Sequence, residues 1–271
     1  KLLADDGAEF DQFGIRVAIS GVTAIVGSIF DDDNGTGSGS AYLFDTTTGQ
    51  QIVKLLADDG AEDDHFGISV AISGDTAIVG TWLDDDNGDA SGSAYLFDTT
   101  TGQQIAKLLA DDGAEGDWFG FSVTIDGATA IVGALLDDDN GIDSGSAYVF
   151  DSATGQQLAK LLPDDGAASD IFGGSVAISG ATAIVGAHLD DANGDESGSA
   201  YVFDLACSTD CEGDANGDGV VDPLDTGFVL ARFGCPVGTG DSGCDTADMN
   251  GDGLVDPLDV GYILARFGPC P

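Results

Sequence analysis

The 271-residue sequence predicts a mainly β fold of four repeated, four-stranded units, followed by a small, distinct module with short helices. Three observations carry that expectation. One phrase returns at a constant step of 53 residues through the first three quarters of the chain. Each copy holds short β-branched runs punctuated by glycine, without helical periodicity. A second repeat, of period 34, occupies the last quarter, where all five cysteines lie.

The longer repeat opens with Lys-Leu-Leu at Lys1, Lys54, Lys107 and Lys160. Phe-Gly follows at Phe13, Phe66, Phe119 and Phe172, then Ala-Ile-Val-Gly from Ala24, Ala77, Ala130 and Ala183. An Asp-rich stretch, Ser-Gly-Ser-Ala-Tyr and Thr-Gly-Gln-Gln complete the order, the last absent from the fourth copy. In the second unit, residues 66–73 read as a first strand that stops at Gly74-Asp75, a hairpin signal. Residues 76–80, 93–97 and 103–109 read as three more. Four strands in a unit of this length is the pattern of a β-propeller blade, in which radial stacking keeps sheet edges short.

The Phe-Gly start and the Ile-Val-Gly segment, agreeing in four copies over residues 1–205, resemble the FG-GAP repeats of integrin-type propellers. The resemblance implies a propeller-like binding domain. It does not carry over the integrin calcium loop between the first two strands. Here that connection is Ser20-Gly21-Val22-Thr23 or its equivalents, too short to wrap a cation. The Asp-rich loops come one connection later, at residues 31–35, 84–88, 137–141 and 190–194. Dense oxygen ligands before a glycine turn suit calcium, with Asp31, Asp33, Asp84, Asp86, Asp137 and Asp139 as candidate ligands. A solvated turn, in which Asn-Gly supplies positive φ, is the alternative. Ala192 replaces the third aspartate in the fourth copy and weakens the metal case there.

The fourth unit ends at residues 201–204 without an outer strand, whereas residues 1–4 form an orphan one. Three arrangements stay open: the orphan closes a four-bladed ring, earlier blades precede it, or a neighbouring molecule supplies the missing strand. A single four-repeat domain is the favoured expectation. Lys1 is neither Met nor part of a signal peptide, as expected of a mature or truncated product.

Residues 206–271 form the second expected domain. Asp214, Asn216, Asp218, Asp222 and Asp225 fall at positions 1, 3, 5, 9 and 12 of a calcium loop, with Gly219 at position 6 and the Val220 carbonyl at 7. Asp248, Asn250, Asp252, Asp256 and Asp259, with Gly253 and Leu254, repeat the pattern. A short helix is expected after each loop, over 226–233 and 260–267, and none before. A loop followed by one helix, duplicated and ending in Asp, resembles a type I dockerin. That resemblance implies bound Ca2+ and a cohesin-like or cell-surface protein as partner. Where dockerins use hydroxyl residues at loop positions 10 and 11, this chain has Pro223-Leu224 and Pro257-Leu258, which leaves the partner open. Cys211 and Cys244 precede the loops, and Cys235 and Cys270 follow the helices; this symmetry suggests two bridges among three pairings, with Cys207 left over. Disulfides and two calcium loops point to a secreted, extracellular or cell-surface protein.

Charge narrows the partners. With 49 acids against 7 bases, the formal net charge of -42 repels nucleic acid and anionic lipid. No apolar run reaches the roughly 18 residues of a membrane span. No phosphate-cradling, zinc-protease or serine-nucleophile motif is present, and His65 and His188 fall at non-equivalent repeat positions, so catalysis is not expected. Copy-to-copy variation concentrates at residues 28–30, 81–83, 134–136 and 187–189. These point to a glycan- or protein-binding rim with Trp82 and Trp118 as anchors, against strand-end core contacts as the plainer role. Three functions remain in view: an adhesion or binding propeller displayed through its terminal module, a subunit polymerising through open blade edges, and a non-catalytic part of a polysaccharide-degrading protein.

Overall fold

The computed structural model describes residues 1–205, 220–221, 255 and 268–269. The chain divides into two compact parts, Lys1–Asp204 and Leu205–Pro271.

The larger part is four consecutive antiparallel sheets, one per repeat. The first holds β1 (Val17–Ser20), β2 (Thr23–Ser28), β3 (Ser40–Asp45) and β4 (Gln50–Leu55) in that spatial order. The second holds β5 (Ser69–Ser73), β6 (Thr76–Thr81), β7 (Ser93–Asp98) and β8 (Gln104–Leu108); the third holds β9 (Phe119–Asp126), β10 (Thr129–Ala134), β11 (Ser146–Asp151) and β12 (Gln157–Leu161). Among the described residues the fourth holds β13 (Phe172–Ser179), β14 (Thr182–Ala187) and β15 (Ser199–Asp204), with β15 paired to β14. Tight turns set the registers. Ser20 pairs with Thr23 across Gly21, whose φ of 56° is one glycine tolerates freely. At the β3–β4 turn the Asp45 carboxylate accepts the backbone N–H groups of Thr47 and Thr48, an Asx cap that holds the hairpin closed.

What joins the sheets is the Phe-Gly dipeptide. Phe66 lies just before β5, whereas its equivalents Phe119 and Phe172 open β9 and β13, and its backbone forms a parallel bridge with Gly39 of the preceding sheet. Gly92–Phe119 and Gly145–Phe172 repeat the bridge. The Phe66 ring then packs edge-on against Tyr95 and Phe97 of its own sheet, at 5.6 and 5.8 Å between centroids. Around it Ile25, Leu43, Leu55 and Ala57 of the first unit meet Ile72, Val79 and Tyr95 of the second in one buried cluster. Ile78, Leu96 and Leu108 meet Ile125, Val132 and Tyr148 the same way at the next junction. The core therefore lies between sheets. A sheet's apolar face is buried only where a neighbouring unit covers it.

The array does not close on itself. Leu2, Ala4 and Phe13 pack on Val26, Tyr42 and Phe44 of the first unit, so the orphan segment covers its own neighbour instead of pairing with the fourth sheet.

In the smaller part, β16 (Val220–Val221) pairs antiparallel with β17 (Gly268–Pro269), and Val255 is buried. The helices expected over 226–233 and 260–267, and the five cysteines, lie outside the described residues.

At the junctions glycine lies against glycine, with Gly27, Gly80 and Gly133 facing the carbonyls of Gly67, Gly120 and Gly173. A methyl on Gly80 would overlap the Gly120 carbonyl oxygen of the next unit. Gly80→Ala is therefore expected to lower unfolding stability by about 1–3 kcal/mol through overpacking at that junction. Gly7→Ala, whose added methyl would meet only ordinary contacts at 3.4 Å and beyond, should leave the denaturation midpoint of the full chain unchanged.

Candidate functional site

Lysines fill the Asp-rich loops. Lys54 Nζ lies 2.8 Å from Asp6, 2.9 Å from Asp31 and 2.7 Å from Asp33. Lys107 lies 2.8, 3.1 and 2.6 Å from Asp59, Asp84 and Asp86, and Lys160 lies 2.8, 3.1 and 2.6 Å from Asp112, Asp137 and Asp139. Each ammonium also sits over a tyrosine ring, 5.3 Å from Tyr42, 5.2 Å from Tyr95 and 5.0 Å from Tyr148. The tyrosine hydroxyl in turn donates to the loop: Tyr95 reaches Asp59 at 2.9 Å and Asp84 at 3.0 Å. The six aspartates named above as candidate calcium ligands each contact one of these lysine ammonium groups. Among the described residues, no cluster of three or more His, Cys, Asp or Glu side chains is arranged for a metal. The physical reason is register. Lys54 stands opposite Tyr42 in the β3–β4 ladder, which aims its side chain into the loop that closes over β3.

These clamps bias titration. Burial opposes charge on Asp59 and Asp112, yet the hydrogen bonds from lysine and tyrosine outweigh it and hold both below the usual carboxylate range. Asp6 is lowered chiefly by its Lys54 hydrogen bond. Two further buried aspartates, Asp64 and Asp117, behave oppositely. Burial pushes both up to about 6, helped by the neighbouring acidic charges of Asp84 and Asp137 respectively and opposed by one backbone N–H each.

A second feature crosses the junctions on one rim. Phe30 of the first unit, His65 and Trp82 of the second, and Trp118 and Phe121 of the third form a continuous aromatic ladder. Phe30 meets His65 edge-on at 5.0 Å, His65 stacks on Trp82 at 6.2 Å, and Trp82 meets Trp118 edge-on at 4.3 Å. Trp82 Nε1 donates to His65 Nδ1 at 3.3 Å. Burial lowers the His65 pKa, which favours the neutral ring that can accept this bond. All five side chains are half-buried, so one side of the ladder faces solvent. His65 and Trp118, at the repeat position before Phe-Gly, adopt left-handed backbone with φ of 58° and 55°. Gln12 and Ile171 do the same at 54° and 58°. For a branched residue such as Ile171 this conformation is costly, and such strain gathers where side chains are held for binding.

The structure brings Trp82 and Trp118 into contact, and places Phe30 in the same ladder. It does not bring in all of the variable positions: Ser28, Ile29, Thr81, Ala134 and Leu135 are buried strand-end contacts. Sequence reading missed His65 as part of the ladder, and missed the lysines. The repeat spacing, which puts residues 65 and 118 at one position, is the signal that could have found the former.

Of the calcium-loop residues, Val220 is described, in β16. Asp214, Asn216, Asp218, Asp222, Asp225, Asp248, Asn250, Asp252, Leu254, Asp256 and Asp259 lie outside the described residues. Their donor set is all oxygen, which fits calcium and no softer metal.

Comparison with known proteins agrees with this geometry. The FG-GAP repeat family matches residues 1–44, 50–97, 103–150 and 156–203, one match per sheet. The dockerin type I domain matches residues 212–266. No curated protein matches the chain. Among solved structures, the crystal structure of the computationally designed Ika4 protein is similar, with 16% identity and a TM-score of 0.49 over 76% of this chain and 98% of that one. The designed Ika8 protein gives 15% identity and a TM-score of 0.42 over 69% of this chain and 44% of that one. Among the described residues no helix is long and apolar enough to cross a membrane.

Removing one clamp cation strands a buried charge. Lys107→Met should lower stability by about 3–5 kcal/mol at neutral pH, with Asp84 left uncompensated. Denaturant titration of the variant against the parent chain measures that loss. The raised aspartates make a separate forecast. Their folded value near 6 exceeds the unfolded 3.8, so their stabilising contribution is present at acid pH and lost as pH rises through about 6. The clamped aspartates contribute above 3.8 and lose that contribution as pH falls further. Thermal midpoints should thus peak at about pH 4 and fall as pH rises toward about 6. The Asp64→Asn/Asp117→Asn double variant should flatten the fall above the peak.

Proposed function

The chain belongs to the FG-GAP repeat family and carries a type I dockerin domain, and on that premise we propose that it is an extracellular, non-catalytic binding protein whose blades grip a neutral glycan. FG-GAP and dockerin domains typically occur in extracellular proteins, and type I dockerin domains bind calcium and cohesins. In this reading the C-terminal loops hold Ca2+ through Asp214, Asn216, Asp218, Val220, Asp222 and Asp225 and their second-loop equivalents, using only hard oxygen donors. The module then attaches the blades to a cohesin-like or cell-surface protein. Pro223-Leu224 and Pro257-Leu258 give that contact an apolar character in place of hydroxyls.

The aromatic ladder is the observation that carries the blade reading. Flat apolar ring surfaces with a few polar groups beside them are what a sugar's C–H faces stack upon. The formal charge of -42 selects against anionic chains by repulsion, leaving neutral polysaccharide or oligosaccharide as ligand. The same chemistry serves adhesion to a glycan surface and, equally, a non-catalytic part in polysaccharide degradation.

Both tryptophans of the chain lie in the ladder, so intrinsic fluorescence reports on this site alone. Titration of the calcium-loaded protein with soluble β-glucan or xylan is expected to shift the emission. Trp118→Ala should weaken binding at least tenfold with unchanged circular dichroism. An emission spectrum indifferent to neutral glycans would sink the proposal.

A further inference from the structure

We propose that His65 is a pH switch on the aromatic ladder: its neutral ring holds Trp82 in the binding arrangement, and its protonation frees Trp82, so the blades release their ligand in mildly acidic surroundings. The release of a glycan rests on the glycan reading of the ladder, whereas the movement of the rings does not.

The lock is one hydrogen bond of fixed polarity. An indole nitrogen can only donate, and Trp82 Nε1 donates to His65 Nδ1 at 3.3 Å. Nδ1 is therefore bare, and the neutral ring carries its hydrogen on Nε2. A proton taken up at Nδ1 turns the acceptor into a donor, and two N–H groups then face each other. The backbone at His65 is not free to relieve this. Its N–H donates to the Gly37 carbonyl of the first unit at 3.1 Å, its carbonyl accepts from Ile68 N–H at 3.2 Å, and φ is fixed at 58° between them. The imidazole is also bordered by the first unit, with Phe30 edge-on at 5.0 Å. Trp82, half-buried just past the end of β6, is the ring that can turn. Its edge-on contacts with Trp118 at 4.3 Å and Phe121 at 5.9 Å go with it. One proton on the second unit thus rearranges the rings that the third unit contributes.

The charges around the ring set where the switch turns. Its own segment carries Glu62, Asp63 and Asp64. The first-unit loop after Phe30 carries Asp31, Asp32 and Asp33, and Asp84, Asp85 and Asp86 follow Trp82. Lys54 compensates Asp31 and Asp33, and Lys107 compensates Asp84 and Asp86. Asp32 accepts the Gly37 N–H at 2.8 Å. Burial lowers the His65 pKa below the ordinary 6.5, with the Asp63 charge opposing it. The ring is therefore neutral at neutral pH and takes its proton only in acid. Asp64 titrates at about 6, close to the same range, but its carboxylate accepts from Ala61 N–H rather than from a ring of the ladder. Gln12, Trp118 and Ile171 occupy the repeat position of His65, and none of them ionises, so the switch belongs to the junction of the first and second units.

Tryptophan emission of the full, calcium-loaded chain, followed without glycan from about pH 8 to about pH 5, tests the ring movement. A single-proton transition with its midpoint below 6.5 is expected. His65→Gln should erase it; Gln12 already stands at this repeat position with the same left-handed backbone, so the fold accepts the substitution. Asp64→Asn should leave the transition in place. Affinity for soluble β-glucan is expected to be about tenfold weaker at about pH 5 than at about pH 7.5, and His65→Gln should bring that ratio close to one. An emission indifferent to pH, a transition that survives His65→Gln, or equal glycan affinity at both pH values overturns the switch. A His65 transition in a chain that binds no glycan at either pH supports the switch and overturns the glycan reading alone.

Discussion

The contact between each sheet and the Phe-Gly segment of the next is the constraint on which the rest depends. A four-stranded sheet of about twenty-five residues cannot bury enough apolar surface alone, so each repeat is stable only against a neighbour. The Phe66 bridge to Gly39 and the Gly67 carbonyl on Gly27 bring two sheets to a distance that no side chain would allow. That close approach explains why Phe-Gly and Ile-Val-Gly recur together. One supplies the carbonyl and the ring, the other the bare backbone that receives them.

Against that frame of apolar junctions, the lysine clamps manage charge. An array this acidic repels itself, and the chain has few bases with which to answer. It concentrates its lysines at the one place in each repeat where three carboxylates meet beneath a loop. There one aspartate of each three is buried, and the lysine beside it compensates its charge. The clamp also ties the outer strand of a sheet to the loop over its inner strands, so electrostatics and strand pairing enforce the same register. The aromatic ladder uses this rigidity. Phe30, Trp82 and Trp118 belong to three different repeats, and their spacing is only as fixed as the junctions between them.

Much of the fold was legible because repetition makes a pattern its own control. Strands β5 to β8 fall within a few residues of where alternation and turn signals placed them, and the missing outer strand of the fourth unit follows from the absence of Thr-Gly-Gln-Gln. Periodicity placed the phenylalanine at the start of the first strand, where Phe119 and Phe172 stand, while β5 begins three residues after Phe66. Its bridge to another sheet is invisible without the neighbour. The Asp-rich loops show the same limit. Asp31 and Asp33 were recognisable as cation ligands, but their cation comes from a lysine 21 residues beyond Asp33, and composition does not say which charge fills a cage.

The sequence by itself determined the repeat, its strands, the turns that set their register, and the calcium-loop spacing near the end. All of these are encoded over short separations, where side-chain alternation, glycine φ and ligand order act locally. Only the tertiary structure decided that Lys54 reaches in among the aspartates, and that His65 completes a line from Phe30 to Phe121. Those facts depend on which repeat packs on which, and a sequence whose units are nearly identical carries no local mark of that choice.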